Sequence, residues 1–462
     1  MSTPSAPPRP RPPALDGALR LAMRAHQEGK LAEAEQSYRA LLALAPRDAD
    51  ALHYLGVLMH KQGQPDAALA LIGQALQIAP GYVDALNNLG NIQKELGMPA
   101  KAEQSYRAVL AARPHFVPAL NNLGVVLKTQ QRYADAANAY RQMLALVPDF
   151  VPGWINLGNA LNALGDREGT MAAFYKALQL EPQSPEAYRN LGRALVTCGR
   201  FDEALQVYRR YQEIEPDNPA IAHLVAACAG APAPARASDE YVQSTFDRFA
   251  SSFDDVLARL DYRAPALCGA LVAEVLGAPA AALAVLDAGC GTGLCGPVLR
   301  PYARTLDGVD LAPKMLAQAA LRHCYERLDE AELTAWLAAH PASYDLIVSA
   351  DTLCYFGALD DVLAAAAAAL RPGGHLVVTL ELSEAAQSDS DAAGAATTPV
   401  DARTGFTLHP HGRYSHSEAY ARQALAQAGM RLLAARHDVL RKEMDMPVIG
   451  LVIAARRPTS TA

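Results

Sequence analysis

Val285-Leu-Asp-Ala-Gly-Cys-Gly-Thr-Gly-Leu-Cys-Gly296 runs from an apolar approach through an acid, Asp287, into three alternating glycines, Gly289, Gly291 and Gly293. With Ala284 leading in, the pattern predicts a buried parallel strand that opens into a Gly-rich turn and then a helix. Only glycine lets a backbone turn this sharply and bring its N–H groups against a ligand. A second strand is expected at Leu306-Asp-Gly-Val-Asp310, whose terminal acid stands 21 residues after Gly289. An acid at that place accepts hydrogen bonds from both hydroxyls of a ribose. Strand, glycine turn, helix and strand-end acid together predict a site for an adenosine-bearing ligand.

The spacing is compatible with two kinds of ligand. Gly291, Gly293 and Gly296 satisfy G-x-G-x-x-G, which suggests a dinucleotide, although a single match of that kind is weak. Asp287 discriminates better, because a carboxylate at the tip of the first strand opposes a pyrophosphate and suits a cation. S-adenosylmethionine carries a sulfonium and an ammonium and no phosphate. The whole stretch closely resembles motif I of the class I S-adenosylmethionine-dependent methyltransferases.

Later segments keep the order of that family. Val309-Asp-Leu-Ala-Pro-Lys-Met315 resembles motif II, with Pro313 suited to a first helical turn. Ser343-Tyr-Asp-Leu-Ile-Val-Ser-Ala-Asp351 resembles the fourth strand and its site-facing end, and Leu370-Arg-Pro-Gly-Gly-His-Leu-Val-Val-Thr-Leu-Glu381 the helix, turn and fifth strand. The chain is similar in more detail to a bacterial group of methyltransferases carrying tetratricopeptide repeats. That likeness rests on Phe246-Asp-Arg-Phe-Ala-Ser-Ser-Phe-Asp254, Leu260-Asp-Tyr-Arg-Ala-Pro265, residues 290–297 and Gly412-Arg-Tyr-Ser-His416. It implies no particular acceptor.

The resemblance implies a cofactor pocket for S-adenosylmethionine. Asp287, Gly289, Gly291 and Gly293 are expected to wrap the methionine end, Asp310 to hold the ribose, and Leu311 to lie against the adenine. Glu332 occupies the place of the acid near the adenine amine, though the family more often has Asp there; the bland alternative is a solvated helix-end acid. Ser349, Ala350 and Asp351 end the fourth strand, and ligands of open α/β sheets bind beyond the carboxyl ends of strands. Asp351 is therefore expected to face the transfer centre or the cofactor's ammonium.

Methyl transfer is an in-line displacement for which positioning supplies much of the rate, and a base is needed only if the nucleophile keeps its proton. Candidates for that base are Asp351, Glu381 and His416. Tyr355, Arg413 and Tyr414 are substrate candidates; packing and a surface loop are the competing roles. Residues 383–399, rich in Ser, Ala and Gly, read as a mobile flap. Tyr241, Phe246, Phe249 and Phe253 make either a lid over the cofactor or an aromatic stripe buried on the domain. Cys290 and Cys295 read as small packing residues.

The first half is a repeat array. Proline recurs at 46, 80, 114, 148, 182 and 216, a period of 34, and Leu-Gly recurs in register at Gly56, Gly90, Gly124, Gly158 and Gly192. A small residue follows each glycine (Ala68, Ala102, Ala136, Thr170, Ala204), then a bulky one (Ile72, Tyr106, Tyr140, Phe174, Tyr208). Period and order together are the tetratricopeptide signature. The small residues are expected to let antiparallel helices approach, with the aromatics filling the gap to the next repeat. A sixth, degenerate unit precedes these near residues 15–48, as terminal repeats often cap a stack. Asn88, Asn122, Asn156 and Asn190 hold one position of successive repeats. The array resembles that of the O-linked N-acetylglucosamine transferase, where such a ladder clamps an extended peptide through its backbone.

At 462 residues the chain exceeds a single core. The expected division is a Pro-rich disordered N-terminus over 1–14, the repeat array with a closing helix over 15–229, a linker over 230–239, a methyltransferase domain over 240–457 and a tail over 458–462. The fold class is thus an all-α tetratricopeptide solenoid followed by an α/β Rossmann-like class I methyltransferase domain. Seven scattered cysteines without C-x-x-C spacing favour a reducing cytoplasm and argue against a structural metal. A net charge of −7 gives nucleic acid no support as a partner, and neither a secretory signal nor a membrane helix is expected. The leading expectation is methylation with a protein or peptide recruited by the repeats. The rivals are a small-molecule methyltransferase whose repeats only assemble a complex, a non-catalytic scaffold, and a nicotinamide dehydrogenase.

Overall fold

The computed structural model describes residues 12–230, 233–383, 405–443 and 446–459. The Pro-rich start and the expected flap fall largely outside these residues. The chain divides into two compact units, 1–194 and 195–462.

The first unit is a stack of antiparallel helix pairs, from Pro13–Gln27 with Leu31–Leu44 to Val151–Ala163 with Arg167–Leu180. Pro65 and Pro99 open helices at the first turn, where a missing N–H costs nothing. Asp48 and Asp166 cap helices by accepting from the N–H groups of Ala51 and Gly169, both at 2.9 Å. The recurring glycine has a steric cause. A Cβ at Gly56 would stand 2.6 Å from Ile72, and at Gly90, Gly124 and Gly158 it would stand 2.7, 2.5 and 2.5 Å from Tyr106, Tyr140 and Phe174. The bulky residue thus lies over the glycine of its own repeat. The helix ending at Ile214 and the closing helix Pro219–Ala229 belong to the second unit, although the 34-residue period runs on to Pro216.

Among the described residues, the second unit is built on a nine-stranded mixed sheet. Its strands are β1 (Leu283–Ala288), β2 (Ala303–Asp310), β3 (Arg327–Glu330), β4 (Tyr344–Ser349), β5 (Leu370–Leu382), β6 (Phe406–Leu408), β7 (Tyr414–His416), β8 (Arg431–Glu443) and β9 (Met446–Arg456). The order is β3-β2-β1-β4-β5-β7-β6, with β9 antiparallel to both β5 and β8. β1, β2, β3, β4 and β5 pair in parallel. Alternate side chains go to opposite faces. Val285, Leu346 and Val377 pack against helix Ala264–Leu276, and Leu286, Ile347 and Val378 against helices Leu333–Ala339, Asp360–Ala369 and Glu418–Gln427. Both faces are covered, which is why β1 and β4 read as continuous apolar runs. Strand order reverses between β1 and β4, and the crevice at such a reversal is where open α/β sheets bind ligands.

The expected linker is tied down where it is described. Ala237 N donates to Tyr355 O at 2.8 Å, and Ala235 O accepts from both Gly357 N and Ala358 N at 2.8 Å. His223 of the closing helix bonds Gly412 O at 2.9 Å.

The repeat glycines give a test with two signs. Gly124→Ala is expected to lower unfolding free energy by about 1–3 kcal/mol, through overpacking against Tyr140. Gly73→Ala, in a helix with open space around it, is expected to raise it by about 0.5–1 kcal/mol. Chemical denaturation of the two variants checks this; equal effects would contradict the packing account.

Candidate functional site

β1 delivers Asp287 into the crevice, and the chain then turns through Gly289, Gly291 and Gly293 with φ of +75°, +53° and +80°. Side chains at these angles are strained. Two of the glycines are also crowded. A Cβ at Gly289 would lie 2.2 Å from the Thr352 hydroxyl, and at Gly293 3.0 Å from the Tyr325 ring. Around Gly291 there is open space. Its N–H donates to Asp310 Oδ2 at 2.8 Å, and Asp310 Oδ1 accepts from Ala312 N at 2.9 Å. The acid ending β2 therefore also holds the turn that follows β1.

These elements border a cavity of about 250 Å³. Of the expected cofactor residues, Asp287, Gly289, Gly291, Asp310, Leu311, Glu332 and Ala350 line it. Gly293 is not among the lining residues and keeps room for Tyr325. Ser349 is buried, and its hydroxyl donates to Ala288 O at 2.8 Å, tying β4 to β1. Glu332 lines the cavity, but its carboxylate is the N-cap of helix Leu333–Ala339, accepting from Thr334 N and Ala335 N at 3.0 and 2.8 Å. The helix-end role that competed with adenine recognition is the one its hydrogen bonds serve. Phe246, Phe249 and Phe253 form an aromatic wall with ring separations of 5.5–5.9 Å. Tyr241 packs instead on His223 at 4.3 Å.

The candidate bases separate. Asp351 lines the cavity in a left-handed conformation (φ +54°), with its N–H bonded to Thr379 Oγ1 at 2.8 Å. Its Oδ2 pairs with Arg441 at 2.6 Å, while Oδ1 is buried with no hydrogen-bond partner. Burial raises its carboxyl above the ordinary range against the pull of Arg441. Glu381 is buried, and burial alone would raise it, but Arg413 and Arg441 hold it well below the ordinary carboxylate range. His416 is buried on β7, outside the cavity lining, and its Nε2 lies 3.1 Å from Gly357 O. Burial pushes it down to about 4, so it is neutral.

Among the substrate candidates, Tyr355 and Arg413 line the cavity. Tyr414 is fully buried and donates to Pro234 O at 2.9 Å. Arg441 and Glu443 of β8 also border the cavity and were not singled out from the sequence. No motif surrounds them, and the signal was charge at the end of a strand. Cys290 and Cys295 are buried, with thiols that burial pushes far up. Among the described residues no cluster of His, Cys, Asp and Glu suited to a metal is found, and no helix is long and apolar enough to cross a membrane.

Residues 286–376 match a methyltransferase domain family, and residues 19–83, 59–124, 124–185 and 161–228 match tetratricopeptide repeat families. The chain joins tetratricopeptide repeats to a methyltransferase domain. It is 42% identical over 84 residues to human methyltransferase-like protein 27, covering 18% of this chain and 34% of that one. It is 35% identical over 102 residues to the ubiquinone biosynthesis O-methyltransferase of Thiobacillus denitrificans, covering 21% of this chain and 44% of that one. The chain thus spans less than half the length of either relative. Among solved structures it is similar to YrrB, a tetratricopeptide protein with an unusual peptide-binding site. That likeness has 19% identity and a TM-score of 0.37, and covers 40% of this chain and 96% of that one.

The buried ion network predicts a stability effect. Arg441 is 4% exposed and pairs with Asp351, Glu381 and Glu443. Arg441→Met leaves two buried carboxylates short of a partner and is expected to cost about 3–5 kcal/mol in equilibrium unfolding. A loss below 1 kcal/mol, roughly that of an exposed pair, would contradict the burial.

Proposed function

We propose that the methyltransferase domain binds S-adenosylmethionine in this cavity and transfers its methyl group to an acceptor, while the repeats recruit a protein or peptide. The observation that carries the cofactor reading is the pair of acids lining the cavity, buried Asp287 near the end of β1 and half-buried Asp310 at the end of β2, beside the open space at Gly291, whose N–H bonds Asp310. Carboxylates so placed oppose a pyrophosphate and favour a cation and a diol. The unpartnered Asp351 Oδ1 fits a ligand that brings a hydrogen-bond donor. When bound, S-adenosylmethionine supplies a methyl group already activated by its sulfonium.

The chain's own residues then have the following roles. Asp287 attracts the positive end, and Gly291 leaves the backbone open beside it. Asp310 accepts from the ribose with the lone pairs that the turn leaves over. Leu311 and Ala350 give apolar contact. Asp351 either holds the ammonium or takes the acceptor's proton. Glu381 is a weaker candidate, because two guanidiniums occupy its carboxylate, and His416 stands outside the lining. The aromatic wall excludes water, which strengthens every charge interaction inside.

On the repeat side, all four ladder asparagines are half-buried. Asn88 Nδ2 lies 2.8 Å from His53 Nε2, and Asn122 Nδ2 donates to Asn91 Oδ1 at 3.0 Å. Peptide clamping by these two requires exchange of internal hydrogen bonds, which limits the affinity gained per residue.

Calorimetric titration with S-adenosylmethionine, S-adenosylhomocysteine and NAD tests the cofactor. Binding of the first two without NAD is expected. Asp310→Ala is expected to weaken that binding by about 1–3 kcal/mol through loss of a charged hydrogen bond. Binding of NAD alone, or unchanged affinity in the variant, would contradict the assignment.

A further inference from the structure

Tyr325 lies between helix Pro313–Ala320 and β3, in a segment that no binding motif contains. Its hydroxyl donates to Asp287 Oδ2 at 2.6 Å. Gly293 and Gly296 keep space for its ring, and Gly308, whose Cβ would first meet Leu328 and Cys290, lies beside it. A Cβ at Gly293 would lie 3.0 Å from Tyr325, at Gly296 2.9 Å from the hydroxyl oxygen, and at Gly308 3.2 Å from the ring. Gly293 and Gly296 come from the turn after β1, and Gly308 comes from β2. Gly296 is not among the residues with positive φ, so its backbone does not require glycine. The phenol does, and this accounts for the last glycine of G-x-G-x-x-G without any pyrophosphate.

We propose that Tyr325 is a positioning residue of the cofactor site: slotted against Gly293, Gly296 and Gly308, its hydroxyl orients the Asp287 carboxylate that receives the cofactor's positively charged end. The proposal rests on the S-adenosylmethionine reading above. The geometry gives Tyr325 one proton to donate, and Asp287 is where it goes. Burial and the neighbouring Asp287 push the phenol far up, so it remains a donor throughout the physiological range.

The ionisation of Asp287 follows from its neighbours. The titratable groups facing it are Tyr325, Asp310 of β2, Cys290 and Cys295 of the turn, and Cys268 of helix Ala264–Leu276. None is a cation. Burial is the largest influence and, with Asp310, raises the carboxyl to about 7, while the Tyr325 hydrogen bond opposes the rise. Above that pH the free protein presents a carboxylate. Below it, Asp287 is protonated and must release its proton to attract the cofactor's cation. Cofactor affinity therefore weakens as pH falls. Without the tyrosine hydroxyl the carboxyl rises further, and the weakening begins at higher pH.

The test is calorimetric titration of the full chain with S-adenosylmethionine in two buffers of different ionisation enthalpy, between about pH 6 and about pH 7.5. This window lies below the α-amino range of about 7.7–8.0 in which the ligand itself titrates. The wild type is expected to lose affinity by roughly eightfold across the window, with proton release rising toward one per ligand at the acid end. Tyr325→Phe keeps the ring in its slot and is expected to raise Kd at about pH 7 by roughly threefold to tenfold, with the profile displaced to higher pH. Gly296→Ala, which moves the hydroxyl without altering either partner, is expected to reproduce that displacement. Profiles that are flat, or that coincide in all three proteins, would overturn the proposal while leaving the cofactor reading intact. Absence of S-adenosylmethionine binding at every pH would overturn the cofactor reading and the proposal together.

Discussion

Two carboxyl groups, buried Asp287 and half-buried Asp310, stand at the ends of adjacent parallel strands, and much of the site's construction serves to hold them there. Burying like charges side by side is unfavourable unless each finds donors or a cation. Asp310 finds donors in the backbone, from Gly291 N and Ala312 N. Asp287 finds one in Tyr325. The glycine turn, the slot for the phenol and the open space at Gly291 are consequences of that arrangement. What remains unbalanced is negative charge beside a cavity, which is what a cationic adenosine derivative would neutralise.

A second charge cluster borders the same cavity. Arg413 and Arg441 bind Glu381, Asp351 and Glu443 into one network, with an excess of one carboxylate. Its members come from β5, the end of β4, β8 and the β6–β7 hairpin. Strands that are distant in sequence therefore meet at the cavity through charge pairs, and the left-handed backbone at Asp351 is held between Arg441 and Thr379. The tethering of the hairpin through His223 and Gly412 places the closing helix against the loop that carries Arg413.

The architecture was legible because two periodicities dominate the chain. A Gly/bulky pair separated by 16 residues is a local packing rule, and it repeats with period 34 from Gly56 onward. The apolar run ending in Asp287 is an equally local signal, since a strand buried on both faces has no polar residues to spare. Several residues that line the cavity lie within a few positions of those strand ends, where the motif order pointed. The rest depended on long-range contacts. Tyr325 stands 38 residues from Asp287, and Arg441 stands 90 from Asp351, and neither belongs to a local pattern. Glu332 and Ser349 show the opposite difficulty. Their positions in the sequence were suggestive, but a helix N-terminus and a strand carbonyl engage their polar atoms. His416 was attractive as a residue type, yet burial on a short strand leaves it neutral and away from the cavity lining.

The most direct measurement is a crystal structure of the chain with S-adenosylhomocysteine bound. The account predicts the ligand in the cavity beyond β1 and β4, with its ribose at Asp310 and its amino group on the acid side, while Tyr325 keeps its hydrogen bond to Asp287. A ligand seated elsewhere, or one whose ribose lies away from Asp310, would contradict it.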